Sequence, residues 1–91
     1  MPSIDEIREQ IESIDKQIVD LIATRMEMAD ELAIEKKHCS QGYWDSRKER
    51  EVIERYMMLC EEVSLSEYEA KLIAEVLLKI SKERQKILYD K

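Results

Sequence analysis

The 91-residue chain has no Phe, one Gly, one Pro and one Trp. Chains so poor in turn-forming and aromatic residues are neither sheet-rich nor disordered; the profile belongs to helices. No run approaches the ~20 apolar residues that a membrane span needs. A basic stripe is missing too, and the net charge of −6 argues against a nucleic-acid partner. The N-terminus, Met-Pro-Ser-Ile-Asp-Glu, lacks the basic-then-apolar layout of a signal peptide, so a cytoplasmic protein is expected. Cys39 and Cys60 are the only thiols and form no motif, which suits reduced, structural cysteines. His38 beside Cys39 lacks a second pair of ligands, so no metal site is expected.

What is present is charge (40%) set against hydrophobic residues (44%), the balance of helices with solvated outer faces. The length suits a single domain over residues 1–91, one small enough that oligomerisation is a common source of extra core. Start signals mark three helices. Ser3 with Glu6 forms a capping box after Pro2, and the first helix spans about 4–38, broken by Ser40-Gln41-Gly42. Ser46 with Glu49 is a possible second box, with Asp45 as the competing cap, opening a helix over about 46–62. Ser66 with Glu69 opens the third, over about 66–88. The fold class is all-α.

The first helix carries an apolar seam: Ile4, Ile7, Ile11, Ile14, Ile18, Leu21, Arg25, Met28 and Leu32. Steps of three and four make it a coiled-coil type of stripe. At ~1.5 Å per residue the helix is about 52 Å long, more than two shorter helices can cover. An uncovered stripe of that length finds a partner, most simply a second copy, so an intertwined homodimer is expected.

Arg25 interrupts the seam, and a buried guanidinium needs an anion. Lys36, eleven residues on, returns to within about 20° of the same face. The third helix shows the stripe Ala70, Ala74, Leu77, Ser81, Gln85, Leu88, and the second is headed by Glu49 with Lys48 and Asp45 beside it. Each polar residue has a bland alternative. Arg25 can pair with a buried carboxylate and set register, Ser81 and Gln85 can be partly exposed, and Glu49 can serve only as a cap. Together they describe a small, cation-rich polar chamber. Arg8 lies 17 residues before Arg25 and about 100° around the helix, so it reaches such a chamber more easily from a partner subunit. Its alternative is a surface pair with Glu12.

The order Arg8, Arg25, Lys36, Asp45, Lys48-Glu49, Ser81, Gln85 resembles the active-site series of the all-helical (AroQ-type) chorismate mutases, over nearly the entire chain. The resemblance implies an intertwined homodimer whose two sites are each completed by Arg8 of the other subunit. The reaction would be the [3,3] rearrangement of chorismate to prephenate, on the route to phenylalanine and tyrosine, with no cofactor and no metal. Arg25 and the partner's Arg8 would hold the substrate carboxylates. Lys36 and Gln85 would contact the ether oxygen of the breaking bond. Glu49 and the Asp45 region would bind the ring hydroxyl, and Ser81 would assist at a carboxylate. Lys48 departs from the family's usual Arg, and a point charge cannot take over a bidentate role.

Such a rearrangement needs no proton transfer or nucleophile, only fixed cations and amide donors in a water-poor pocket, which this set of residues supplies. Two other readings share the helical frame. An isochorismate-pyruvate lyase-like enzyme would use similar cations with a different arrangement at the ring hydroxyl. A non-catalytic dimerisation module would explain the seam but not Arg25, Lys36 and Gln85 together.

Overall fold

A computed structural model describes all 91 residues. It contains three helices and no strand: α1 (Ile4–His38), α2 (Ser46–Glu62) and α3 (Glu67–Tyr89). The caps explain the boundaries. Ser3 Oγ accepts from the Glu6 amide at the start of α1. Ser66 and Glu69 form the complete reciprocal box at the start of α3. At α2 the competing cap prevails: Asp45 Oδ1 accepts from the Arg47 and Lys48 amides, and no Ser46–Glu49 box forms.

α1 and α2 both end in Schellman turns. Gln41 N–H reaches Lys36 O and Ser40 N–H reaches Lys37 O; Leu65 N–H reaches Cys60 O and Ser64 N–H reaches Glu61 O. The left-handed residues are serines, Ser40 (φ 56°) and Ser64 (φ 62°). Gly42, the only glycine, does not take a positive φ.

α3 is the shared partner. It packs on α1 and on α2, and α1 and α2 do not pack on each other. α2 and α3 form an antiparallel hairpin, while the C-terminal halves of α1 and α3 run in the same direction, as the pairs Asp30–Arg84 and Lys37–Lys91 require. Small residues let the helices approach: the buried positions of α1 are Met26, Ala29 and Ala33, and those of α3, which packs on both other helices, begin with Ala70 and Ala74. Leu78, beside the expected Leu77, is the buried leucine of α3. Arg84 closes the α1–α3 junction with a two-pronged bond to Asp30 (Nε–Oδ1 3.0 Å, Nη2–Oδ2 2.6 Å), which holds the Asp30 carboxyl below its usual range.

This core is thin. Nine of 91 residues are buried, and no large side chain is fully enclosed. Every residue from Met1 to Leu21 is exposed, so the first half of α1 extends free of the rest, in a molecule 57 Å long and 15 Å thick. The radius of gyration is 16.4 Å, against roughly 12 Å for a compact chain of this length. The isoleucine seam is not used within the chain. Ile4, Ile7, Ile11, Ile14, Ile18, Leu21, Met28 and Leu32 all stay open to solvent. No helix is long and apolar enough to cross a membrane.

Candidate active site

One cavity takes side chains from all three helices and from the loop between α1 and α2. Arg25, Leu32 and Lys36 enter from α1, at spacings of seven and four that keep them on one face. Lys48, Glu49 and Val52 come from the first turns of α2, Asp45 from its cap, and Leu78, Ser81 and Gln85 from α3. Trp44 closes the side facing the loop. All the polar residues singled out in the sequence therefore meet here, except Arg8. Arg8 is exposed and lies about 25 Å from Arg25 along the helix axis. It forms no ion pair with Glu12.

A chain of hydrogen bonds orders the inner wall. Lys36 Nζ donates to Tyr43 O and to Gln85 Oε1, both at 3.0 Å. Gln85 Nε2 donates to Ser81 Oγ, also at 3.0 Å. Gln85 and Ser81 are buried, and no buried side-chain nitrogen or oxygen lacks a partner. Donor accounting shows what is left over. An ammonium has three protons and Lys36 uses two; a primary amide has two and Gln85 uses one. Each retains one proton for a bound molecule. Both acceptors of Lys36 are neutral, so nothing cancels its charge at contact distance. Burial pushes the Lys36 ammonium below the usual lysine range, and the more distant Asp45 carboxylate partly offsets this.

The cavity's two carboxylates are already engaged. Asp45 is the α2 cap, held below the usual carboxylate range mainly by the Arg47 amide. Glu49 Oε2 accepts from the indole N–H of Trp44 at 2.7 Å. Lys48 turns to its own helix neighbour Glu51 at 3.2 Å. Arg25 has no partner at all: the ion pairs of the chain are Lys16–Asp20, Lys48–Glu51, Lys71–Glu67 and Arg84–Asp30. A partly buried guanidinium with all its donors unspent shares the cavity with a lysine without a counter-ion. That is an arrangement for a ligand with more than one negative oxygen.

Trp44, Val52 and Leu78 are pocket residues that the polar pattern does not single out, and Leu32 was legible only as part of the seam. Val52 and Leu78 are ordinary helix-face residues, while Trp44 sits in a loop without periodicity. Its one signal is its place before the cap residue Asp45. Lys82, also outside the pattern, holds Nζ 5.5 Å from the Trp44 ring centre, and Lys36 Nζ lies 5.9 Å from it.

Comparison with known proteins agrees with this picture at the level of family. The family model described as chorismate mutase type II matches residues 7–86. No curated protein and no solved structure matches the sequence. The family match takes in most of α1 and α3, all of α2 and every residue that lines the cavity, and by it the chain belongs to the chorismate mutase type II family.

Proposed function

We propose that this protein is a chorismate mutase that rearranges chorismate to prephenate, in the cytoplasm and on the route to phenylalanine and tyrosine. The observation that carries the reading is the pair Arg25 and Lys36, which line one cavity with no protein carboxylate on either. Chorismate is a dicarboxylate with an ether bond and a ring hydroxyl, and the cavity has a group suited to each.

The reaction breaks the ether C–O bond as a C–C bond forms, with no proton, electron or co-reactant exchanged. Catalysis then consists of holding a flexible dianion in a chair-like geometry and stabilising the negative charge that grows on the ether oxygen. Arg25 binds one carboxylate through its free fork. The spare protons of Lys36 and Gln85 converge on the ether oxygen, with Lys36 also near a carboxylate and Ser81 assisting there. Glu49 accepts from the ring hydroxyl, with the Asp45 region beside it. Lys48 reaches substrate by leaving Glu51, and a surface pair of that kind costs little to break. Leu32, Val52 and Leu78 supply the apolar part of the cavity wall.

The second carboxylate calls for Arg8 of the partner subunit. Supporting the dimer are the open isoleucine seam, the thin core and the free first half of α1, which carries Arg8 beyond its own cavity. In an intertwined homodimer these seams cover each other and each Arg8 enters the opposite site.

The test is incubation of purified protein with chorismate and, separately, isochorismate, with products identified by chromatography. Prephenate formed well above the uncatalysed rate is the expected result. Pyruvate released from isochorismate with no prephenate from chorismate overturns it, as does no reaction with either.

A further inference from the structure

Trp44 is the residue of this cavity whose role the helical pattern leaves unexplained. It occupies the position before the α2 cap Asp45, and Glu49 is the fourth residue of the helix. Those are the two positions of a hydrophobic staple, where an apolar pair normally fixes how the chain enters a helix. Here the pair is an indole and a carboxylate joined by a 2.7 Å hydrogen bond, and both side chains line the cavity. A staple needs no carboxylate, and a pair made only for packing gains nothing from placing one against a ligand pocket.

We propose that Trp44 is a positioning residue for the reaction: its indole N–H clamps Glu49 Oε2 and so presents Oε1 to the ring hydroxyl of the substrate. This rests on the reading of the cavity as the mutase site. A free glutamate has three side-chain torsions and two equivalent oxygens. The indole is a donor with no acceptor capacity, so it removes one oxygen from competition and holds the carboxylate plane. The ring adds a second constraint, because the ammonium groups of Lys36 and Lys82 lie within 6 Å of its centre. Trp44 thus links the group assigned to the hydroxyl with one assigned to the ether oxygen. Selectivity follows: a substrate with the hydroxyl gains from the clamp, and one without it does not.

Two variants remove the N–H. Trp44→Phe keeps an aromatic ring, and replacement of Trp44 by benzothienylalanine keeps the bicyclic shape and exchanges only N–H for sulfur. With chorismate, each is expected to lose about tenfold in kcat/KM, the equivalent of one oriented hydrogen bond. With the chorismate analogue lacking the ring hydroxyl, each is expected to match the wild type. In a double-mutant cycle, Trp44→Phe combined with Glu49→Ala is expected to be no slower than Glu49→Ala alone, because the clamp has lost the oxygen it holds. Equal losses on both substrates, additive losses in the cycle, or unchanged kcat/KM of the benzothienylalanine protein on chorismate each overturn the proposal. Wild-type protein inactive on chorismate overturns instead the reading on which it rests.

Discussion

Lys36 Nζ lies 3.0 Å from Gln85 Oε1, joining α1 to α3 across the cavity. An ammonium only donates, so this bond dictates which way the Gln85 amide faces and turns its NH2 toward Ser81 and the cavity. One contact therefore orients two of the donors assigned to the ether oxygen. It also accounts for a glutamine in the inward stripe of α3, where an apolar side chain would leave the lysine with Tyr43 O as its one acceptor.

Gln85→Glu tests that orientation. The new carboxyl can donate to an ether oxygen only when protonated, and when ionised it repels the charge developing there. Neighbouring Lys36 favours the ionised form and burial favours the neutral one. At neutral pH kcat/KM should fall by about 10²–10³, the usual loss for a preorganised donor. It should recover as the pH is lowered. A pH-independent variant contradicts the role given to Gln85.

Lys36 sets the opposite limb of the profile. Burial lowers its pKa and Asp45 partly restores it. In its proposed role Lys36 acts protonated, so wild-type kcat/KM should fall as pH rises through a value below the usual lysine range. Asp45→Asn removes the restoring charge yet keeps an equally good helix cap. Its alkaline limb should move to lower pH, and an unmoved limb contradicts the coupling. The linkage has a definite sign. The folded chain binds this proton less tightly than the unfolded one, so ligand-free stability should rise with pH between the lowered pKa and the ordinary lysine value.

Arg25→Ala separates catalysis from folding. No protein carboxylate depends on Arg25, so its removal strands no buried charge and the variant should stay folded by circular dichroism and keep its size on gel filtration. Turnover should drop by at least about 10²-fold. Prephenate, a dicarboxylate that is not consumed, should raise the melting temperature of the wild type. At a hundred times its dissociation constant, bound ligand contributes about 2.7 kcal/mol. The same addition to Arg25→Ala should give little shift. An equal shift in both proteins would place the ligand elsewhere.

The serines in left-handed conformation offer a prediction about stability alone. Ser40 and Ser64 carry a Cβ in a region that costs an L-residue about 1–2 kcal/mol, and glycine avoids that cost while losing part of the gain to chain entropy. Ser40→Gly and Ser64→Gly should each raise stability by roughly 0.5–1 kcal/mol in urea unfolding at constant protein concentration. A destabilised variant would show that the serine side chain contributes something the Schellman turn does not.

Those serines also mark where the sequence was legible and where it was not. Helix starts could be read because caps are local: Ser3 with Glu6 and Ser66 with Glu69 need no tertiary information. The break after His38 was readable, but not which residue takes the positive φ, since the only glycine lies two positions beyond it. The polar side chains of the site could be read as interruptions of helix faces. Trp44 could not, because a loop residue has no face. The packing face of α1 was hidden for a different reason. Hydrophobicity directs attention to isoleucine, whereas close approach of α1 and α3 uses Met26, Ala29 and Ala33, and the isoleucines of the seam stay exposed.

That exposed seam leads to the sharpest test of the proposed dimer. If each cavity takes Arg8 from the partner subunit, Arg8→Ala and Arg25→Ala should each be nearly inactive alone. Unfolding and refolding an equimolar mixture should make about half of the dimers mixed, by random pairing of a two-fold oligomer. In a mixed dimer the chain bearing Arg8→Ala keeps its own Arg25 and receives Arg8 from the other chain. One site is intact and the second carries both defects. Half of the dimers with one of two sites working means recovery of about a quarter of wild-type activity. The double variant, carrying both changes on one chain, should rescue neither single variant, because every site in its mixed dimers lacks at least one arginine. Failure of the singles to complement, with the mixture no more active than its components, would show that Arg8 does not act across the interface.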